Sequence, residues 1–310
     1  METTDWPGAD FEAHRAHLRS VAYRMLGSLN EADDAVQESW LRLSRADTGD
    51  VRDLRAWLTT VVSRVCLDML RSRTTRREDS LDAHVPDPIV TRVDDDPAEH
   101  AILADSVGIA LLVVLDTLPP AERLAFVLHD VFAVPFDQIG PILDRSPAAA
   151  KQLASRARHR LRTAPAHPVA TSADAGPAAA SPTGSADLAR QWTVVDAFLA
   201  ASQQGDFEGL LAILDPDVVL RADAGAGPFG PSEVVRGASA VIAQAQRFAP
   251  LGRFARPVLV NGGPGFIVVR DGEPLAVMAL TVQDDKITEM DVLADPVRLS
   301  RLDLAGLADS

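Results

Sequence analysis

Apolar residues recur at helical spacing through residues 10–78. Phe11, Leu18, Val21, Ala22, Met25 and Leu26 form one stripe, the three-and-four spacing that buries a single helix face. Gly27-Ser28 interrupts it. Asn30 then stands where a second helix needs a cap, ahead of Glu31, Asp33 and Asp34, whose charge suits a first turn. Leu54, Trp57, Leu58, Val61, Val62, Val65 and Met69 predict a long third helix, and Trp57 on that stripe reads as core. Residues 79–98 change character: prolines and acids crowd together, which reads as a linker. Helical spacing returns over His100–Leu118 and from Pro119-Pro120 through AERLAFVLHDVF. A short helix over Asp137–Leu143 and a last one from Ser146 follow.

Residues 163–186 are rich in Ala, Pro, Ser and Thr and read as a flexible linker. Beyond them the pattern alternates. Helices are predicted over Leu188–Ser202, Phe207–Leu214 and Ser232–Phe248. Strands are predicted over Val218–Ala222, Arg256–Val260, Gly265–Arg270, Leu275–Gln283 and Lys286–Leu293, with hairpin turns at Asp271-Gly272 and Asp284-Asp285. The fold class is multidomain: two all-α domains and an α+β domain with helices on one face of a curved sheet. Boundaries are drawn at 1–78, 79–99 (linker), 100–163, 164–186 (linker) and 187–310.

Composition narrows the function. With 47% hydrophobic and 24% charged residues the chain has an ordinary globular make-up. Its longest apolar run, Ile109–Leu115, is far short of the roughly 20 residues that span a bilayer. No signal peptide is read, which places the chain in the cytoplasm, nucleoid-associated if it works on DNA. A single cysteine, Cys66, forms no internal disulfide and reads as a small buried hydrophobe. His14 and His17 share a helix face without a carboxylate set around them, so no metal and no cofactor is expected.

The net charge of −14 points away from nucleic acid only if it is spread evenly. It is not. Ser146–Arg162 carries Lys151, Arg156, Arg158, Arg160 and Arg162 without an acid, and Arg64–Arg77 is the second basic stretch. The first belongs to a helix-turn-helix pattern. Ile139, Ile142 and Leu143 give its first helix an apolar face; Ser146 caps the second and Pro147 takes its first turn. With Ala150, Leu153, Ala157 and Leu161 inward, Ala148, Gln152, Ser155 and His159 point out between cations. That combination suits a major groove, Gln152 to base edges and cations to phosphates. Asp144 occupies the turn position where Gly is usual, and Pro141 shortens the first helix.

The segments FEAHRAHLRSVAYRMLGSLNEADDAVQESWLRLSR and DVRDLRAWLTTVVSRVCLDMLRSRTTRRE resemble region 2 of the extracytoplasmic-function (ECF) sigma factors of RNA polymerase. LPPAERLAFVLHDVFAVPFDQIGPILDRSPAAAKQLASRARHRLR resembles their region 4. The resemblance implies a sigma factor that binds core RNA polymerase, through the β′ clamp and β flap, and directs promoter-specific initiation. It implies docking on the clamp by Asp33, Asp34, Gln37, Glu38 and Leu41. Recognition of the −10 element falls to the loop Thr48–Arg55 and the helix after it, through Asp53, Arg55, Arg64, Asp68 and Arg71. Recognition of −35 falls to Arg145, Ala148, Lys151, Gln152, Ser155, Arg156 and His159.

The C-terminal unit resembles the SnoaL-like, ketosteroid-isomerase-like cone fold. ECF sigma factors with this extension use it to modulate their activity. Three short patterns carry the expected intramolecular contact with the sigma domains: HVPDP, with Pro86, Asp87 and Pro88; DAGAG, with Asp223, Gly225 and Gly227; and DPVRL, with Asp295, Pro296 and Leu299. HVPDP lacks the Trp, and DAGAG the Lys, of the family's patterns. The competing reading is a one-component transcriptional regulator whose SnoaL-like domain binds a small molecule or acts as an enzyme. Catalysis in this fold calls for an Asp base and a Tyr-containing oxyanion hole, but the sole tyrosine is Tyr23. The chain is therefore expected not to be an enzyme. A small-molecule ligand is left open.

Overall fold

The computed structural model describes residues 8–46, 51, 53–76, 83–93, 108–163, 185–227 and 229–308. Expectations for residues 48–50 and 52 of the −10 loop, for 79–82 and 94–107, and for the linker over 164–184 lie outside these. The chain groups into two compact units. One is Met1–Glu78 with Val114–Ala180, the other Asp79–Val113 with Ser181–Ser310.

In the first unit α1 (Gly8–Leu26), α2 (Leu29–Leu43) and α3 (Leu54–Arg76) pack on one another. All six residues of the α1 stripe are at most 1% exposed. The chain reverses at Gly27, and Ser28 caps α2 by accepting the Glu31 amide. The cap is therefore Ser28, not Asn30, because the reversal leaves no spacer between the helices. On α3, Leu58, Val62 and Val65 are buried as expected, but so are Leu67 and Leu70. Helix α3 meets α1 and α2 on one side and a second helical group on the other. Cys66 is buried, and burial pushes its thiol pKa up, which keeps it unreactive.

That second group comprises α4 (Ile109–Asp116, which crosses the unit boundary), α5 (Pro120–Phe126) prolonged by a π turn (Val127–Val131), α6 (Phe136–Ile142) and α7 (Pro147–Thr163). Buried Arg123 on α5 pairs with Asp116 at 2.8 Å and donates to the Met25 carbonyl at 2.9 Å. It thereby satisfies one of the orphan carbonyls at the end of α1. Gly140 in α6 is pressed by the following turn: a Cβ there would stand 2.7 Å from the Arg145 carbonyl oxygen. Asp144 holds φ 53° in that turn, so the aspartate does adopt the left-handed conformation. Ser146 Oγ accepts the Ala149 amide at 3.2 Å, the cap expected from sequence.

His17 ties α1 to α3. A guanidinium only donates, so the 3.3 Å approach of Arg55 Nη2 makes His17 Nδ1 the acceptor. Nε2 then donates to Thr59 Oγ1 at 3.2 Å, and the Thr59 hydroxyl donates to the Arg55 carbonyl at 2.8 Å. Burial, with the positive charge of Arg55, His14 and Arg24, lowers the His17 pKa to about 4.

The second unit holds α8 (Ser185–Gln204), α9 (Phe207–Ile213), α10 (Ala238–Phe248), a 3-10 turn (Ala249–Phe254) and a seven-stranded sheet of order β1-β4-β5-β6-β7-β2-β3. The strands are β1 (Val90–Thr91), β2 (Leu214–Asp223), β3 (Glu233–Arg236), β4 (Ala255–Val260), β5 (Gly263–Arg270), β6 (Glu273–Gln283) and β7 (Lys286–Leu293), followed by short α11 (Pro296–Leu299) and α12 (Ala305–Ala308). Among the described strands only β2 and β7 pair in parallel; the other pairs are antiparallel. One sheet face packs on α8, α9 and α10 through Val195, Phe198, Leu210, Leu220, Val241 and Met290. On the same strands Arg221 is buried between Glu289 and Asp291, at 3.2 and 3.1 Å.

Three hairpins place positive φ at both central residues: Asp271-Gly272, Asp284-Asp285 and Asn261-Gly262, the geometry that matches strand twist. Two differences from the sequence reading matter. Residues 233–236 form a strand, so the helix expected over Ser232–Phe248 starts at Ala238; the β-branched pair Val234-Val235 suits the sheet edge. The segment read as a linker contributes β1, hydrogen-bonded to β4 in the register Val90 to Val260 and Thr91 to Leu259.

Two predictions follow from this packing. Unfolded histidine titrates near 6.5 and His17 near 4, so the unfolded state takes up the proton between those values. The stability that His17 contributes is complete above about pH 6.5 and is lost as pH falls toward 4. The urea midpoint of the full chain should therefore decline less over that window in His17→Gln than in the parent. Gly140→Ala, which drives a methyl into the turn, should cost about 1–3 kcal/mol by urea unfolding.

Candidate functional site

The residues expected to contact polymerase lie along one exposed side of α2. Asp33, Asp34, Gln37 and Leu41 are exposed and Glu38 is half-exposed. Asp33 pairs with Arg19 at 2.6 Å and Glu38 with Arg42 at 2.9 Å. Leu41 is a large apolar side chain left 38% exposed beside them. Acids with one leucine among them form a surface that a basic partner with an apolar notch could cover.

The −10 candidates divide by role. Asp53 caps α3, its Oδ1 accepting the Ala56 amide at 3.0 Å, so it has a structural duty in addition to any contact with DNA. Arg55 is held by His17 as described. Arg64, Asp68 and Arg71 lie exposed on one side of α3; Asp68 and Arg71 approach to 3.9 Å. Arg64 donates to the Pro141 carbonyl of α6 at 2.9 Å, which draws one end of this face onto the helix-turn-helix.

On α7 the inward set is Ala150, Ala154, Ala157 and Leu161, all buried, with Leu153 half-buried. Arg145, Ala148, Lys151, Gln152, Ser155, Arg156 and His159 are all exposed. The cations of α7 are not equivalent. Glu122 of α5 is 3% exposed and takes Arg160 at 3.0 Å, with Arg156 more distant at 3.9 Å. Asp130 takes Arg158 at 2.7 Å. Arg158 and Arg160 therefore fasten the helix to its own domain. Lys151, Gln152 and Ser155 are left facing outward along its middle, with Arg145 at the turn.

In the second unit the three short patterns converge. Pro86, Asp87 and Pro88 are buried. Asp223, at the end of β2, accepts at Oδ2 from the Val85 amide at 3.1 Å and from Arg298 Nη1 at 2.7 Å, with His84 Nδ1 at 3.2 Å. Asp87 accepts from Arg298 Nε at 3.0 Å and from its Nη2. Ile89 donates to Asn261 Oδ1 at 2.9 Å, and the Asn261 amide returns a bond to the Ile89 carbonyl at 2.8 Å. Burial raises the Asp223 pKa, but the bonds from His84 and the Val85 amide and the charge of Arg298 outweigh it, so the carboxyl is held below its ordinary value.

The other pattern residues shape this clasp instead of gripping it. Asp295 caps α11 through the Val297 and Arg298 amides, which fixes the helix carrying Arg298. Pro296 is its first residue and Leu299 is buried beneath it. Gly225 has φ 52°, and a Cβ there would stand 2.3 Å from Asp295 Oδ2. Gly227 donates to the Ala224 carbonyl at 2.8 Å. His84 and Arg298 stood within the quoted patterns without being named as contact residues, and Asn261 was not picked out by sequence at all. The arginine within DPVRL was the available signal; nothing local marks Asn261, whose partner is 172 positions away.

Comparison with known proteins supplies the context. Residues 11–76 match the family model Sigma-70 region 2 and residues 109–161 match Sigma-70, region 4. The chain is 40% identical over 303 residues to the ECF RNA polymerase sigma factor SigJ of Mycobacterium tuberculosis, covering 93% of this chain and 91% of that protein. It is 35% identical to the probable ECF RNA polymerase sigma factor SigI of the same species, over 99% and 100% of the two chains. The crystal structure of M. tuberculosis SigJ superposes with a TM-score of 0.72 at 35% identity, covering 96% of this chain and all of that one. The likeness runs through both helical blocks and the C-terminal extension. A one-component regulator would have no use for the first block. On these grounds the chain belongs to the ECF RNA polymerase sigma factors.

Proposed function

We propose that this chain joins core RNA polymerase through α2 and initiates at promoters read by α3 and α7. Asp33, Asp34, Gln37, Glu38 and Leu41 form the docking surface, α3 with the preceding loop engages −10, and α7 enters the major groove at −35. The observation that carries the reading is the sorting of cations on α7. Buried Glu122 and half-buried Asp130 hold Arg160 and Arg158, which fixes the helix on its domain while Lys151 and Gln152 stay exposed. A helix held by its own arginines presents a fixed row of side chains to base edges.

The C-terminal domain acts as a regulator, not a catalyst. Three carboxylates that an isomerase-like reading would recruit have structural duties: Asp206 accepts the Gly209 amide, Asp215 the Asp217 amide, and Asp223 holds the clasp. We assign regulation to the clasp itself. Residues 84–91 lie in the segment joining the −10 and −35 modules, and pinning them in an extended form removes the freedom with which that segment can place the two modules. Opening the clasp restores that freedom. No helix among the described residues is long and apolar enough to cross a membrane, and the work proposed here is done on DNA in the cytoplasm.

Initiation from a −10/−35 promoter by core polymerase plus purified chain tests the central claim; polymerase that stays inactive with the chain present would refute it. In that assay Arg156→Ala should weaken all promoters alike with a shallower salt slope, whereas Gln152→Ala should change base preference within −35, measured by binding across single-base promoter variants. Arg298→Gln removes the guanidinium that two buried carboxylates share, at a local cost of about 3–5 kcal/mol. It should speed hydrogen exchange at Val85 and Ile89 and widen the range of promoter spacings used.

A further inference from the structure

The second unit contains a cavity of about 160 Å³ between the sheet and its helices. Leu220, Phe266, Met278 and Met290 line it from the strands, Phe198 and Phe248 from α8 and α10. Apolar cavities of about 150 Å³ stay dry and take up a molecule the size of benzene. This one also has polar side chains in its wall. The polar side chains lining it, among the described residues, are Ser202, Glu233 and Gln244. Ser202 Oγ is buried and finds no hydrogen-bond partner among the described residues. Glu233 accepts from the Gln244 amide through one carboxylate oxygen, which leaves its other oxygen able to accept. A buried hydroxyl without a partner is unusual in a folded protein, and here it belongs to the wall of a cavity.

We propose that this cavity is a binding site for a neutral, ring-sized apolar molecule bearing a hydroxyl group. A carboxylate at the wall repels anions, and the mostly apolar lining makes a cation costly to desolvate. A hydroxyl can donate to Glu233 or exchange a bond with Ser202, while the ring replaces an empty apolar space. The site is built into the clasp. Ala224 and Ala294 line the cavity, and each adjoins the clasp: Ala294 donates to the Asp223 carbonyl at 2.7 Å, and Ala224 donates to Ser232 Oγ at 3.1 Å. Ser232 in turn donates to Asp223 Oδ1 at 3.2 Å. An occupant pressing on that wall shifts the carboxylate that holds Val85 and Arg298. The proposal rests on the reading of the C-terminal domain as a regulator and gives that regulator its input.

The test uses the full chain and 2-naphthol, with naphthalene as the same ring system lacking the hydroxyl. Calorimetry should show saturable uptake of one naphthol per chain and weaker binding of naphthalene, a preference that Glu233→Gln reduces. Ala222→Leu and Ala276→Phe fill the cavity from different strands; each should raise the naphthol Kd roughly tenfold or more if the space is the site. Hydrogen exchange over His84–Ile89 should change on saturation in the parent and not in the filled variants. No saturable heat from the parent overturns the site, as does binding indifferent to filling in a variant that keeps its unfolding midpoint. Binding that leaves exchange over His84–Ile89 unchanged overturns the coupling. Neither readout involves polymerase, so failure of the initiation assay would stand apart from failure here.

Discussion

One guanidinium organises the second unit. Asp87 and Asp223 come from parts of the chain more than a hundred residues apart, and both are nearly removed from water. Two such carboxylates repel each other unless a cation stands with them. Arg298, set in place by the Asp295 cap, is that cation. With it present, Asp223 stays ionised and can hold the Val85 amide; Pro86 and Pro88 are buried alongside, and the chain runs on into β1. Each element is weak alone. A two-residue strand or a lone side-chain-to-amide bond would not order an extended segment against its conformational entropy. Their cooperation through a shared charge does.

The same principle, a buried acid deciding what neighbouring arginines can do, recurs in the helix-turn-helix. From sequence, α7 is a uniformly basic helix. In the folded domain Glu122 and Asp130 divide its arginines into those that fasten it and those that remain outward. Net charge could not have revealed this, because the acids sit on α5 and its π turn and reach α7 only through tertiary packing.

Periodicity read from the chain located α1, α3 and α7 and the residues they bury, since each helix has a stripe dense enough to override local ambiguity. It was less informative where long-range pairing decides. Ser28 took the cap from Asn30 because the turn at Gly27 left no room for a spacer. Glu233–Arg236 joined a sheet edge although it adjoins a good helical pattern. HVPDP looks like a linker by composition, and its prolines do forbid a helix, but they also suit an extended segment whose amides at Val85 and Ile89 find side-chain acceptors elsewhere. The short patterns contain most of the clasp's side chains, but its central arginine was not among the residues chosen from them. They were chosen by resemblance, and resemblance carries no information about which side chain holds the charge between two acids.

Strand β1 has a consequence beyond tethering. It occupies the flank of β4, at the end of the sheet. An uncovered flank offers unpaired backbone groups to any other extended chain. Undoing the attachment therefore does more than free a connector: it uncovers the Leu259–Val260 end of β4, where another polypeptide, or a second copy, can pair. Natural selection on such a device must weigh ease of opening against self-association. A strand of two residues, with bonds from Asn261 just beyond it, is a small enough cover to be lifted and replaced without exposing a long border.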